Sequence, residues 1–168
     1  GQAAAAAGGR DRRTGLKQLT RRRGGAEKSV KTLDETTEKI IGSAIKLHQT
    51  LGPGLLESVY EMILARDLER SGLKVERQKP VSFEYDGLWF DDAFRVDLLI
   101  EGTVVVELKS VEKLAPVHSK QLLTYLRLLD LPVGLLLNFG AATLKDGLHR
   151  VVNHLDPSAS PRLRVNRS

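Results

Sequence analysis

The sequence predicts an α/β fold: a mixed central β-sheet flanked by helices. Two helical stretches, one opening at Thr32 and ending before Gly52, the other from about Leu55 to Arg70, precede any strand pattern. Alternating and apolar runs between residues 74 and 109 then read as successive strands closed by glycine turns. After a third helical stretch, Val133–Phe139 is a continuous apolar run, the mark of a strand covered on both faces. A buried strand that returns to the sheet after a helix makes that sheet mixed. The expected order is α-α-β-β-β-α-β, with Leu148–Val152 as a last edge strand.

At 168 residues the chain is long enough to bury one real core. It has no cysteine, which excludes disulfides, thiolate metal sites and a cysteine nucleophile and agrees with a reducing, cytoplasmic location. No apolar run approaches the length of a membrane span, and Ala3–Ala7 is too short and weakly apolar for a signal-peptide core. The net charge of +5 sits in the two ends. Residues 1–31 carry nine Lys/Arg and two Asp/Glu, and residues 157–168 add three Arg, so residues 32–156 hold a net −5. Residues 1–31 read as a disordered basic tail, residues 32–155 as the folded domain and residues 156–168 as a loose C-terminal tail.

In chain order, Thr32-x-x-Glu35 resembles a capping box that opens the first helix. Ile40, Ile41, Ala44, Ile45, His48 and Leu51 follow at helical spacing, and Gly52-Pro53-Gly54 stops them. The second helix runs from about Leu55 to Arg70, with Leu55, Val59, Met62 and Ile63 on its apolar face and Gly72 after its end. Glu57 and Tyr60, one turn apart, share a face beside that apolar stripe. Lys74–Gln78 and Val81–Tyr85 read as strand, and Asp86-Gly87 is a turn signal. Pro116 opens the third helix, which stacks Gln121 and Tyr125 on one face.

The most informative stretch is residues 93–109, two apolar runs around Glu101-Gly102-Thr103. It reads as a hairpin that carries charges unsuited to burial: Asp97, Glu107 and Lys109. Side chains alternate along a strand, so Glu107 and Lys109 share one face. A two-residue loop would leave Asp97 and Glu107 on opposite faces, whereas an odd loop centred on Gly102, or a bulge, sets them across from each other. Carboxylates so placed repel unless a cation or proton lies between them. A hard divalent cation suits them, and Lys109 reaches the same site, placed to orient water or stabilise charge on a phosphate. A surface hairpin with one polar face would show the same spacing by chance.

These residues, together with the rest of the chain, resemble a known family. Gly54-Leu55-Leu56-Glu57-Ser58-Val59-Tyr60 is a GxxExxY signature, accompanied by Arg95-Val96-Asp97-Leu98-Leu99, Val106-Glu107-Leu108-Lys109, Gln121-Leu122-Leu123-Thr124-Tyr125 and Asn138-Phe139. The chain is similar over roughly residues 35–153 to GxxExxY proteins of the PD-(D/E)XK, or restriction-endonuclease-like, nuclease superfamily. The resemblance implies a restriction-endonuclease-like core and a metal-dependent nuclease acting on nucleic acid, DNA first. It implies Asp97, Glu107 and the helix-borne Glu57 as metal ligands, with Mg²⁺ as cofactor and Mn²⁺ as substitute, and Lys109 as the catalytic lysine. Gln121 and Tyr125 resemble the QxxxY motif of RecB-like nucleases, which orients catalytic groups or the scissile strand. Val96 stands where the superfamily name has proline, a position that is not a ligand.

Two other classes stay open from the sequence. One is a catalytically silent nucleic-acid-binding or protein-interaction module on a nuclease scaffold. The other is a hydrolase of a different phosphate ester, although no Walker-type glycine-rich loop supports nucleotide use. The acidic balance of the domain leaves room for a protein partner or a homodimer that supplies basic surface. His48, His118, His149 and His154 lack zinc-ligand spacing and read as structural or surface residues, with His48 beside the GPG corner placed to support the second helix.

Overall fold

The computed structural model of the chain describes residues 13–154 and 163–166. Its elements are α1 (Arg13–Leu51), α2 (Glu57–Arg70), β1 (Val75–Tyr85), β2 (Leu88–Ile100), β3 (Val104–Lys109), α3 (Pro116–Leu129), β4 (Val133–Asn138), β5 (Leu148–Val152) and β6 (Leu163–Asn166). The chain divides into two units, Gly1–Asp34 and Glu35–Ser168, and the second holds the sheet. That sheet has the order β5-β4-β3-β2-β1-β6. β3 and β4 are parallel and every other neighbouring pair is antiparallel, so the sheet is mixed as expected. The parallel pair needs a crossover, which α3 supplies.

The structure corrects the sequence reading in two places. Helix begins at Arg13, so Thr32 lies inside α1 and does not cap it; residues 1–12 lie outside the described residues. Leu, Lys, Gln, Arg, Ala and Glu dominate 16–31 and favour helix locally, and the Gly24-Gly25 pair weakens that preference without ending the helix. Part of the expected C-terminal tail is strand: β6 adds to the outer edge of β1, pairing Leu163 with Tyr85 and Val165 with Phe83. Leu163-Arg164-Val165-Asn166 alternates apolar and polar residues, a strand pattern too short to stand out by itself.

Each turn follows from its backbone. Asp86 and Gly87 take φ +49° and +77°, the pair of positive angles that a two-residue type I′ hairpin requires. Glu101 and Gly102 take φ +52° and +65°, and the loop to Val104 has an odd count of three residues. β4 is buried throughout, as its unbroken apolar run requires. On one face of the sheet Leu99, Val105 and Leu136 pack with Leu122, Leu126 and Leu129 of α3. Alternation sends Leu98, Ile100, Val104, Val106 and Leu108 to the other face, where they are also buried. α2 packs against β1, β2 and β3.

The corner between α1 and α2 is tied by Tyr60. Its hydroxyl donates to Gly52 O at 2.6 Å and accepts from Leu55 N at 3.2 Å, and its ring stacks on Phe139 at 4.3 Å. Tyr60 is fully buried, so the last residue of the GxxExxY stretch acts here as a clamp that sets where α2 starts. Tyr60→Phe keeps the ring and strands both polar partners. It is expected to cost about 1–3 kcal/mol in urea denaturation; an unchanged midpoint would show that the hydroxyl clamp carries no stability. His48 serves the same corner, with its Nε2 3.0 Å from Ala141 O.

Candidate active site

The hairpin register decides the geometry. Ile100 pairs with Val104, Leu99 with Val105 and Leu98 with Val106, a register centred on Gly102. The next position sets Asp97 across from Glu107, the arrangement expected of an odd loop. Regular pairing stops there, because Asp97 turns its carboxylate into the gap and its Oδ2 accepts the Leu108 N–H at 2.8 Å. Glu107 Oε1 in turn lies 3.4 Å from the Asp97 N–H. Two carboxylates thus share the point where β2 and β3 part.

Their environments differ. Asp97 is half-buried, whereas Glu107 is 7% exposed. Burial first, and then the charge on Asp97, push the Glu107 carboxyl from its ordinary 4.5 up to about 8, while the Lys109 charge pulls the other way. Lys109 is half-buried at the end of β3, in register with Asn138 of β4. That shift favours the protonated form of Glu107 beside Asp97.

Gln121 and Tyr125 come together on α3. Gln121 Nε2 donates to the Tyr125 hydroxyl at 2.7 Å, and the Tyr125 ring stacks on Phe94 of β2 at 4.0 Å. Burial raises the Tyr125 pKa, the charges of Glu107 and Asp97 raise it further, and Gln121 opposes them, which places this phenol within the field of the carboxylate pair. Glu57 is placed otherwise. It is exposed at the first turn of α2, and its Oε1 accepts the Ser110 N–H at 3.1 Å just beyond β3. Among the described residues no group of three His, Cys, Asp or Glu side chains is set to hold a metal ion.

Asn138 has a positioning task. Fully buried, it accepts from Val111 N and Gly140 N through Oδ1 and donates to Val111 O through Nδ2, fixing the segment that follows Lys109. Gly140 makes room for this clamp, since a Cβ there would fall 2.3 Å from Val111 O.

Sequence reasoning missed Gln78 and Glu61. Gln78 Nε2 donates to Asp97 Oδ1 at 3.2 Å and to Glu61 Oε2 at 2.7 Å, while Glu61 Oε1 accepts from Arg77 Nε at 3.0 Å. Glu61 is 5% exposed. The available signal was its position four residues after Glu57, among the apolar residues of α2. Gln78 gave no signal, because its role depends on a left-handed backbone angle inside β1.

The donor set is two hard oxygen ligands beside a lysine at the parting of two strands, backed by a Gln/Tyr pair. That constellation fits a divalent cation, and Mg²⁺ commonly takes only one or two protein carboxylates, leaving the remainder to water and phosphate oxygens. No helix among the described residues is long and apolar enough to cross a membrane. No curated protein and no solved structure gives a significant match to the chain. A family model does match, over residues 34–151, which take in α2, β1 to β4, α3 and both carboxylates of the hairpin. By that match and by its mixed α/β architecture, the chain belongs to the PD-(D/E)XK nuclease superfamily.

Proposed function

We propose that this domain is a Mg²⁺-dependent nuclease that hydrolyses phosphodiester bonds of nucleic acid, DNA first, and that it belongs to the GxxExxY branch of its superfamily. The observation that carries the reading is the Asp97–Glu107 pair with Lys109 at the break between β2 and β3. A buried carboxylate facing a half-buried one is costly, and a nuclease scaffold gives that cost a use. Asp97 and Glu107 would hold the cation; Mn²⁺, with similar oxygen preference, would substitute. When bound, such an ion polarises a phosphate oxygen and lowers the pKa of its water.

The chain's own side chains do the rest. Asp97 keeps its orientation through Leu108 N–H and presents its remaining lone pairs to the site. Lys109, a point charge on a flexible stem, orients the attacking water or offsets the negative charge that builds on the phosphate. Gln121 and Tyr125 steady the scissile strand from α3. Glu57 acts at one remove, holding Ser110 and with it the end of β3. The domain carries a net −5 outside the basic ends, so a partner protein or a second copy supplying basic surface is part of this reading, as is a cytoplasmic location.

Calorimetric titration of Mn²⁺ into the metal-free protein separates this reading from a silent scaffold. The expected result is one site per chain that is lost in Asp97→Ala. A wild-type protein that takes up no Mn²⁺ would favour a binding module that has kept the fold without the chemistry.

A further inference from the structure

Asp97 is gripped from two sides, by groups of one kind. Its Oδ2 takes the Leu108 N–H and its Oδ1 takes the side-chain amide of Gln78. Arg77 pairs with Leu98 and Lys79 with Val96 between β1 and β2, which sets Gln78 across from Asp97. Gln78 itself is absent from the regular pairing and takes φ +47°, a left-handed angle uncommon for a residue other than glycine. Backbone in that region costs on the order of 1–3 kcal/mol and persists only where the surroundings hold it. Here the surroundings are Glu61 and Asp97, which take the side-chain amide, and Arg95, whose guanidinium donates to the Gln78 carbonyl at 3.4 Å. An amide NH₂ has two hydrogens, and Gln78 Nε2 has two carboxylate acceptors, at 2.7 Å on Glu61 and 3.2 Å on Asp97. Its orientation is therefore fixed about the side-chain axis.

The distribution of charge matters more. A guanidinium lies in the adjacent position, and a purely structural tie to Asp97 would gain most from it, because it adds a full opposite charge and a bidentate fit to a carboxylate. Arg77 is committed instead to Glu61, the carboxylate one step further out. Asp97 receives two neutral N–H donors. Neutral donors aim a carboxylate without cancelling its charge, whereas a guanidinium would compete with any cation for the same oxygens.

We propose that Gln78, aligned by the Arg77–Glu61 pair, is a positioning residue that pre-orients Asp97 for a divalent cation and links α2 to the centre. This rests on the reading of Asp97 as a metal ligand, and its test keeps the two apart. Gln78→Asn is the informative variant: asparagine tolerates positive φ, so the backbone stays satisfied, but its side chain is one methylene too short to span both carboxylates. The Leu108 amide, which donates to Asp97 Oδ2, reports Asp97 orientation by NMR in metal-free protein.

Expected in Gln78→Asn are a retained cooperative unfolding transition, a shifted Leu108 amide signal with faster hydrogen exchange, and a Mn²⁺ dissociation constant raised about tenfold or more, the usual scale for groups that orient metal ligands. In cleavage assays the Mn²⁺ concentration for half-maximal rate should rise by the same factor, while kcat at saturating Mn²⁺ changes only a few-fold. A Leu108 signal that matches wild type overturns the proposal, whatever the metal data show. So does a Mn²⁺ affinity within twofold of wild type. If wild-type protein binds no Mn²⁺ at all, the metal reading fails, and the Leu108 signal still decides whether Gln78 orients Asp97.

Discussion

Replacing Lys109 by alanine is expected to lower kcat for phosphodiester cleavage by about 10²–10³-fold, the range seen when a single group that stabilises developing negative charge is removed. Mn²⁺ affinity should not fall, because Lys109 is not a ligand. It should rise modestly, since the variant removes a positive charge that already acts on Glu107. Asp97→Ala gives the contrasting pattern, with metal binding and cleavage lost together. The two variants thus divide ligand from charge stabiliser. A Lys109→Ala protein with full metal-dependent cleavage would remove the lysine from the chemistry and leave the hairpin as a metal site alone.

The second large effect is on stability and needs no substrate. Burial and Asp97 raise the Glu107 carboxyl from 4.5 to about 8 in the folded, metal-free protein. Below pH 4.5 the group is protonated in both states, and its contribution to stability is fully present. As pH rises toward 8 the unfolded chain loses the proton while the folded chain must keep it, so the contribution falls by about 1.4 kcal/mol for each pH unit. Above about 8 the loss is complete. In EDTA, stability is therefore expected to decline by several kcal/mol, to order of magnitude, between pH 5 and pH 8.5. Glu107→Gln removes the titrating group and should flatten most of that slope, becoming more stable than wild type at pH 8.5. Mn²⁺ should restore wild-type stability at the alkaline end, because the ligand must be deprotonated to bind. Denaturant titrations at fixed pH test this directly. Equal slopes for wild type and Glu107→Gln would mean that the pair is solvated well enough to ionise freely.

Much of the candidate centre was legible before the fold. The alternation of β2 and β3 left two registers open, and the observed three-residue loop centred on Gly102 selects the one that sets Asp97 opposite Glu107. The unbroken apolar run of β4 marked the parallel strand beside it. Helical spacing alone put Gln121 and Tyr125 on one face, and they are hydrogen-bonded there. What stayed hidden depends on tertiary context. Glu57 lies on the expected helix, but how far a side chain reaches is set by how α2 packs, and its carboxylate ends on Ser110 N–H. The signature tyrosine, Tyr60, marks the corner because its hydroxyl ties Gly52 to Leu55, a contact visible only once both helices are placed. Gln78 takes a positive φ within β1 that no periodicity announces. β6 and the start of α1 were missed for opposite reasons: one is too short to show a pattern, and the other shows helix propensity without an apolar face.

The central claim is that Asp97 and Glu107 hold a divalent cation for phosphodiester hydrolysis. The most direct test is cleavage of end-labelled single- and double-stranded DNA by the purified protein in Mg²⁺, Mn²⁺ or EDTA, with Asp97→Ala alongside. The account predicts cleavage that requires the metal, is abolished by EDTA and is absent in the variant. Cleavage that persists in EDTA, or in Asp97→Ala at the wild-type rate, would contradict it.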